Sequence, residues 1–173
     1  VFVPVADPVK ILRLRVTNSA NRTRKLSAAF FAEWVLGVNR EQTAPFIVTE
    51  IDSGTGAFFA RCAFNDGFGT AVAFSDTNLR PRTFTGNRAE FLGRNRSASQ
   101  PAAMRRVALS DHVGPGLDSC VALMGRFDVA ANGTTDVVFV LGEANDAATA
   151  ARLAAQYRDP ATANAALQEV TAA

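Results

Sequence analysis

The 173-residue chain holds a single tryptophan, a single tyrosine, a single histidine, two cysteines and only two lysines. Each scarcity excludes something. His112 has no second histidine and no cysteine near it, so no metal-ligand spacing exists and no metal is expected. Cys62 and Cys120 sit in apolar settings, Arg-Cys-Ala-Phe and Ser-Cys-Val-Ala-Leu, where a thiol behaves as a small hydrophobe, and whether they pair is left open. Asp111-His112 resembles half of a catalytic pair, but no Gly-x-Ser-x-Gly nucleophile motif accompanies it. Thirteen phenylalanines against one Trp and one Tyr favour a hydrophobic core over an exposed carbohydrate platform. No apolar run approaches the roughly 18 residues of a membrane helix, and no secretory signal is visible. The net charge of +2 makes no argument for nucleic acid, and no motif calls for a cofactor.

What is present describes a globular domain. Hydrophobic residues make up 48% and charged residues 20%, and the length suits one domain with a sizeable core. Apart from Lys10 and Lys25, every basic residue is arginine, a bias that a GC-rich genome would produce without any functional cause. The dominant pattern has period two. From Ile11 to Val16 apolar and basic residues alternate, the mark of a strand with one buried face. Residues 18–24 read as a polar turn, and Lys25 to Val35 resumes apolar character with Phe30, Phe31 and Trp34, the last read as a core residue. Further strands are expected at 46–50, 56–64 and 70–74, with turns at 52–56 and at Asn65-Asp66-Gly67. Another apolar run covers 114–126, and 134–141 reads as a buried strand after an Ala-Asn-Gly turn. Many short strands with regular turns predict a mainly β fold, a sandwich or barrel.

The composition changes at Gly142. Residues 143–157 are alanine-rich, with apolar positions at helical spacing, and Asp159-Pro160 breaks that helix before a second one over 161–170. The expected division is a β domain over 1–142 and a helical tail over 143–173. Val1 to Val5 reads as part of a strand and lacks an initiator methionine, so the expectation is a segment of something longer.

Thr85 to Asn95, Thr-Gly-Asn-Arg-Ala-Glu-Phe-Leu-Gly-Arg-Asn, is the most informative stretch. Arg88 and Arg94 bracket an acid and two apolar residues, with Gly86 and Gly93 allowing backbone turns. Guanidinium groups suit carboxylates, phosphates or clustered hydroxyls. The stretch reads as a strand end running into an arginine-bearing loop. Two meanings remain open: a polar binding edge, or an ion-paired strand end in which Glu90 neutralises one arginine. Nothing in the spacing brings Glu33 and Glu90 together as a carboxylate pair.

Arg-Val-Thr-Asn (15–18), Glu-Trp-Val-Leu-Gly (33–37), the 85–95 stretch and Val-Phe-Val-Leu-Gly-Glu (138–143) occur in an order that resembles the inverting β-glycoside phosphorylases. This is the cellobiose and chitobiose phosphorylase family, glycoside hydrolase family 94, formerly glycosyltransferase family 36. Among its members the resemblance is nearest to the C-terminal region of cyclic β-1,2-glucan synthases. It implies a β-supersandwich of the galactose mutarotase-like kind, followed by linker helices leading to an (α/α)6 catalytic barrel that is absent here. In the family the general acid and the phosphate-binding groups belong to that barrel, so the chain alone is expected not to be an enzyme. The sandwich is expected to shape the acceptor side and to take part in homodimer contacts, with a β-glucan oligosaccharide and inorganic phosphate as ligands of the full-length protein. The resemblance carries a sugar-binding role onto Arg94 and Asn95, and more weakly onto Arg88. It places the domain in the cytoplasm, as the cytoplasmic part of an inner-membrane protein if the parent is a glucan synthase.

The chain departs from the family pattern at three positions. Asn87 stands where an aspartate is usual, Arg96 where a glycine is common, and Ser119 where a proline is frequent. Two alternatives belong to other classes: a freestanding carbohydrate-binding module, for which the aromatics are few, and a mutarotase-like enzyme, for which one histidine is too few.

Overall fold

Strands whose two faces are both apolar need cover on both sides, and the architecture supplies it in layers. The computed structural model describes residues 1–64 and 69–172; the predicted turn at 65–67 lies outside them. Among the described residues eight strands, β1 (Val9–Thr17), β2 (Arg24–Glu33), β3 (Ile47–Ile51), β4 (Phe58–Cys62), β5 (Val72–Thr77), β6 (Arg82–Asn87), β7 (Ser119–Val129) and β8 (Thr134–Ala144), form two antiparallel sheets. One has the order β1-β8-β5-β4-β3 and the other β2-β7-β6. Short helices α1 (Arg40–Thr43) and α2 (Arg88–Leu92) interrupt the strands, and α3 (Ala147–Tyr157) and α4 (Pro160–Ala172) follow them.

Period two sorts the side chains. On β8, Val137 and Phe139 point between the sheets, while Val138 and Val140 point to the outer face of the larger sheet. Phe58 and Ala60 of β4 and Val121 and Leu123 of β7 join Trp34 in the layer between the sheets. On the outer face, Val9, Ile11, Phe59, Val72 and Phe74 meet Ala150, Leu153, Ala154 and Tyr157 of α3 and Ala163 and Ala166 of α4. The helices therefore share a core with the sandwich. Gly142 is required there, because a Cβ on it would lie 2.5 Å from Cζ of Phe74. A third cluster covers the smaller sheet from outside: Phe91 and Leu92 of α2 with Cys120, Ala122 and Met124 of β7, and Phe31 stacked on Phe91 at 4.7 Å between centroids. Trp34 is a core residue as expected, and both cysteines are buried and free.

Some expectations shift. Residues 1–5 contribute only a bridge, Phe2 to Ile11. The helix predicted from Glu143 begins at Ala147, because Glu143 and Ala144 continue β8 against Ala73 and Val72, and Asp146 caps the helix by accepting from Thr149 N at 2.8 Å. The apolar run from 114 becomes a strand only at Ser119. Asn18, the last residue of the first family-like motif, is buried and its Nδ2 donates to the carbonyls of Arg22, Val129 and Ala130. It ties the β1–β2 turn to the β7–β8 hairpin, so that motif residue is structural.

The charges bind the layers together. Asp76 on β5 is fully buried and receives Arg80 Nη2 and Arg82 Nε, each at 3.1 Å, and Arg158 Nη1 at 2.5 Å. Arg158 directly follows α3, so the carboxylate joins that helix to β5 and β6. Asp136 on β8 likewise holds Arg13 and Arg15 of β1, and Asn164 of α4 reaches it at 3.4 Å.

Candidate functional site

The 85–95 stretch runs from the end of β6 into a loop, as expected, but only after a short helix, α2. Asn87 accepts from Ala89 N at 2.9 Å and so caps α2, which begins at Arg88 and ends two residues before Arg94. An aspartate at 87 would cap equally well, so this departure from the family pattern leaves the local fold unchanged. Gly93 ends α2 with φ of +87°, a conformation that favours glycine. Its missing Cβ would lie 3.0 Å from that of Ala102 and 3.3 Å from Cδ of Arg96. Glycine thus lets the chain fold back, and a 3-10 turn over Ala102–Arg105, anchored by buried Ala103, closes the excursion.

Arg88 and Arg94 part company at this helix. Arg88 Nε donates to Glu33 Oε1 at 2.6 Å, and its Nη1 lies 3.5 Å from Asp118 Oδ2. Arg40 bonds the other oxygens of the same two acids, Glu33 Oε2 at 2.6 Å and Asp118 Oδ1. Two arginines and two carboxylates form a charge-balanced ring joining the end of β2, the starts of α1 and α2 and the segment before β7. The hydrogen bond to Glu33 raises the Arg88 pKa above its ordinary value. The ion-paired reading of the strand end therefore describes Arg88, but with Glu33 and Asp118 as partners rather than Glu90. Glu90 instead accepts from Ser110 N at 2.9 Å and Ser110 Oγ at 2.6 Å and pairs with Arg106 at 3.3 Å. Burial opposes its ionisation, yet these bonds outweigh it and hold its pKa below the usual carboxylate value.

Arg94 and Asn95 do come together. With Arg96, Ser97, Ser99, Gln100 and Arg105 they line an open groove of about 540 Å³. Ser97 and Ser99 share a hydrogen bond of 2.7 Å, and Gln100 N donates to Ser97 O at 3.1 Å, which shapes the outer wall. Among the described residues no carboxylate pairs with Arg94, Arg96 or Arg105. Arg96, legible in the sequence as a departure from a glycine, and Arg105, eleven positions from Arg94, are lining residues that spacing alone does not reveal. Arg88 is not part of this lining.

The other chemically suggestive residues serve the fold. Asp111 Oδ1 accepts from Phe84 N at 2.9 Å, and the His112 carbonyl accepts from Gly86 N at 2.8 Å, so that dipeptide extends the edge of β6. Burial pushes the Cys120 thiol up to about 12, which makes it a poor nucleophile. A second cavity, about 310 Å³ and bordered by Leu36, Gly37, Val38, Cys62, Ala71, Ala73 and Glu143, is mostly apolar. Among the described residues no cluster of His, Cys, Asp and Glu could hold a metal ion, and no helix is long and apolar enough to cross a membrane.

A two-sheet antiparallel sandwich with helices packed on one outer face and an arginine-lined groove on the smaller sheet's side defines a supersandwich-type domain. The family described as "Glycosyl hydrolase 94, supersandwich domain" matches residues 1–160, and the chain belongs to that family. It is 34% identical over 140 residues to the cyclic beta-(1,2)-glucan synthase NdvB of Rhizobium meliloti (strain 1021). That similarity covers 80% of this chain and about 5% of the relative's length. What matches is the supersandwich domain and not a catalytic one.

Proposed function

We propose that this chain is a non-catalytic sandwich domain of a larger glycoside phosphorylase or cyclic β-1,2-glucan synthase. In that protein it supports β-glucan binding and homodimer contacts, while an (α/α)6 barrel of the same parent chain carries out phosphorolysis with inorganic phosphate. Residues 1–142 act as the sandwich and 143–173 lead toward the barrel, and the domain works on the cytoplasmic side. The observation that carries this reading is the family match over residues 1–160, which is to the supersandwich domain alone.

Arg94 and Asn95 are the proposed glucan contacts. They are exposed, next to one another on a groove, and their N–H groups lack protein acceptors among the described residues, as donors to sugar hydroxyls require. Arg88 enters with reduced capacity, since Glu33 and Asp118 hold two of its three nitrogens. One observation favours the carbohydrate-binding-module reading: Phe46 and Phe64 are about half exposed and stack at 4.4 Å, a small aromatic surface of the kind sugars stack on.

The test is phosphate-dependent release of sugar 1-phosphate from β-1,2- and β-1,4-glucooligosaccharides, by this chain and by a form extended into its parent. Silence from the former with turnover by the latter is the expected result. Turnover by the chain alone would overturn the non-catalytic assignment.

A further inference from the structure

Among the described residues, nine arginines are held by carboxylates: 13, 15, 40, 61, 80, 82, 88, 106 and 158. Of the remaining seven, three face one groove. Even Arg106, directly after Arg105, is claimed by Glu90. The loop thus gathers three such cations around one groove.

The lining is cationic. Its three guanidinium groups only donate, its serine hydroxyls and the amides of Asn95 and Gln100 both donate and accept, and among the described residues no acidic side chain borders the groove. The hydroxyls and amides alone would serve a neutral sugar, whose own hydroxyls donate as well as accept and call for no charge. A lining of three cations with no anion matches a ligand that accepts only and carries more than one negative charge. A carboxylate supplies one charge and two oxygens, whereas a phosphoryl group supplies close to two charges and three strong acceptor oxygens near neutral pH.

We propose that the groove bordered by Arg94, Arg96 and Arg105 binds a phosphoryl dianion, either inorganic phosphate or the phosphomonoester of a sugar. Arg94 is shared with the glucan reading, whereas Arg96 and Arg105 belong to the anion site alone. Gly93 and the 3-10 turn make the site possible by folding Arg96 and Arg105 back toward Arg94 across the end of α2. Ser97 and Ser99 share one hydrogen bond, which leaves one hydroxyl proton of the pair for an oxygen that faces the outer wall.

Calorimetric titration tests this with three separate probes: sodium phosphate, glucose 6-phosphate and a β-1,2-linked glucose disaccharide. Saturable binding of phosphate with a dissociation constant on the order of 1 mM or tighter is expected. Arg96→Gln and Arg105→Gln should each weaken it about tenfold, the loss of one charge-assisted hydrogen bond. Arg152→Gln, remote on α3, should leave it within about twofold, and circular dichroism should show every variant folded. Binding should also weaken from pH 8 to pH 5.5, because the dianion is protonated near pH 6. Tighter binding of glucose 6-phosphate than of phosphate would identify a phosphorylated sugar as the source, and the reverse order inorganic phosphate. No saturable phosphate binding, or equal weakening by Arg152→Gln, would overturn the proposal. Disaccharide binding without phosphate binding would overturn it while leaving the glucan reading standing, and the opposite result would do the reverse.

Discussion

Replacing Asp76 is the most direct test of what holds the helices to the sandwich. Its carboxylate is wholly buried and meets three arginines, yet those arginines do not depend on it equally. The side chains of Arg80 and Arg158 are 43% and 27% exposed, so both can turn toward water when the carboxylate is lost. Arg82 is 6% exposed and cannot; among the described residues its head bonds only Asp76 and the Gly56 carbonyl. Burial already lowers the Arg82 pKa below its ordinary value, which marks the strain on that charge. Breaking a buried pair from one side costs about 3–5 kcal/mol, because the partner is left charged and uncompensated. We predict the lower end, about 3 kcal/mol, for Asp76→Asn, which keeps an acceptor oxygen, and the upper end for Asp76→Ala. For a chain of this length about 3 kcal/mol corresponds to a fall of roughly 6–12 °C in Tm. Urea unfolding followed by circular dichroism measures it, and the double variant Asp76→Asn/Arg82→Met should recover part of the loss. A cost below about 1 kcal/mol for Asp76→Asn would refute the argument that Arg82 is trapped.

Tyr157 is the only tyrosine, and its hydroxyl donates to Asp7 Oδ2 at 2.7 Å. Burial, with that hydrogen bond, pushes its pKa up to about 12. A raised phenol favours the neutral form, so its contribution to stability is complete below pH 10, the ordinary value, and is lost as the pH rises through about 12. Ultraviolet titration of the phenolate should give a midpoint near 12, and one near 10 would contradict the contact. Asp136 is the acid counterpart: hydrogen bonds from Arg15, then Arg13 and Asn164, hold its pKa well below the usual carboxylate value. A depressed carboxyl contributes stability that is present above its unfolded value of about 3.9 and is lost as the pH falls below it. Asp136→Asn should therefore flatten the acid limb of the stability curve, and an unchanged limb would count against the Arg13 and Arg15 pairing. Leu153 of α3 is buried against the larger sheet, so Leu153→Ala should cost about 2–5 kcal/mol in urea unfolding. A cost near zero would mean that α3 does not share the sandwich core.

The strands were legible because each buried face writes period two into the chain, and because β8 reads apolar at Val137, Val138, Phe139 and Val140 alike when both of its faces are covered. The start of α3 was legible only in part. Alanine richness extends the predicted helix back to Glu143, but propensity is a weak prior beside the ladder that β8 completes with β5. The capping signal, Asp146 followed by Thr149, lies in the sequence and marks the true start. The candidate site divides in the same way. Arg94 and Asn95 are neighbours in sequence and remain neighbours on the groove. Arg105 joins them only because the chain reverses after Gly93, and the partners of Arg88 lie 55 and 30 residues away, where no local pattern can announce them.

In a chain whose cations are almost all arginine, residue type cannot say which of them are structural. The decision rests with the acids. Asp76 and Asp136 draw arginines inward and turn them into ties between layers, and Glu33 and Asp118 do the same for Arg40 and Arg88 at the edge of the smaller sheet. The 85–95 stretch shows how sharply this divides one motif. Arg88, at the first turn of α2, meets two carboxylates that fix it. Arg94, just past the last turn, meets none among the described residues and stands beside Arg96 and Arg105, which meet none there either. Binding capacity therefore follows from where unpaired arginines share one concave surface, and among the described residues Arg94, Arg96 and Arg105 do so along the groove between α2 and the 3-10 turn.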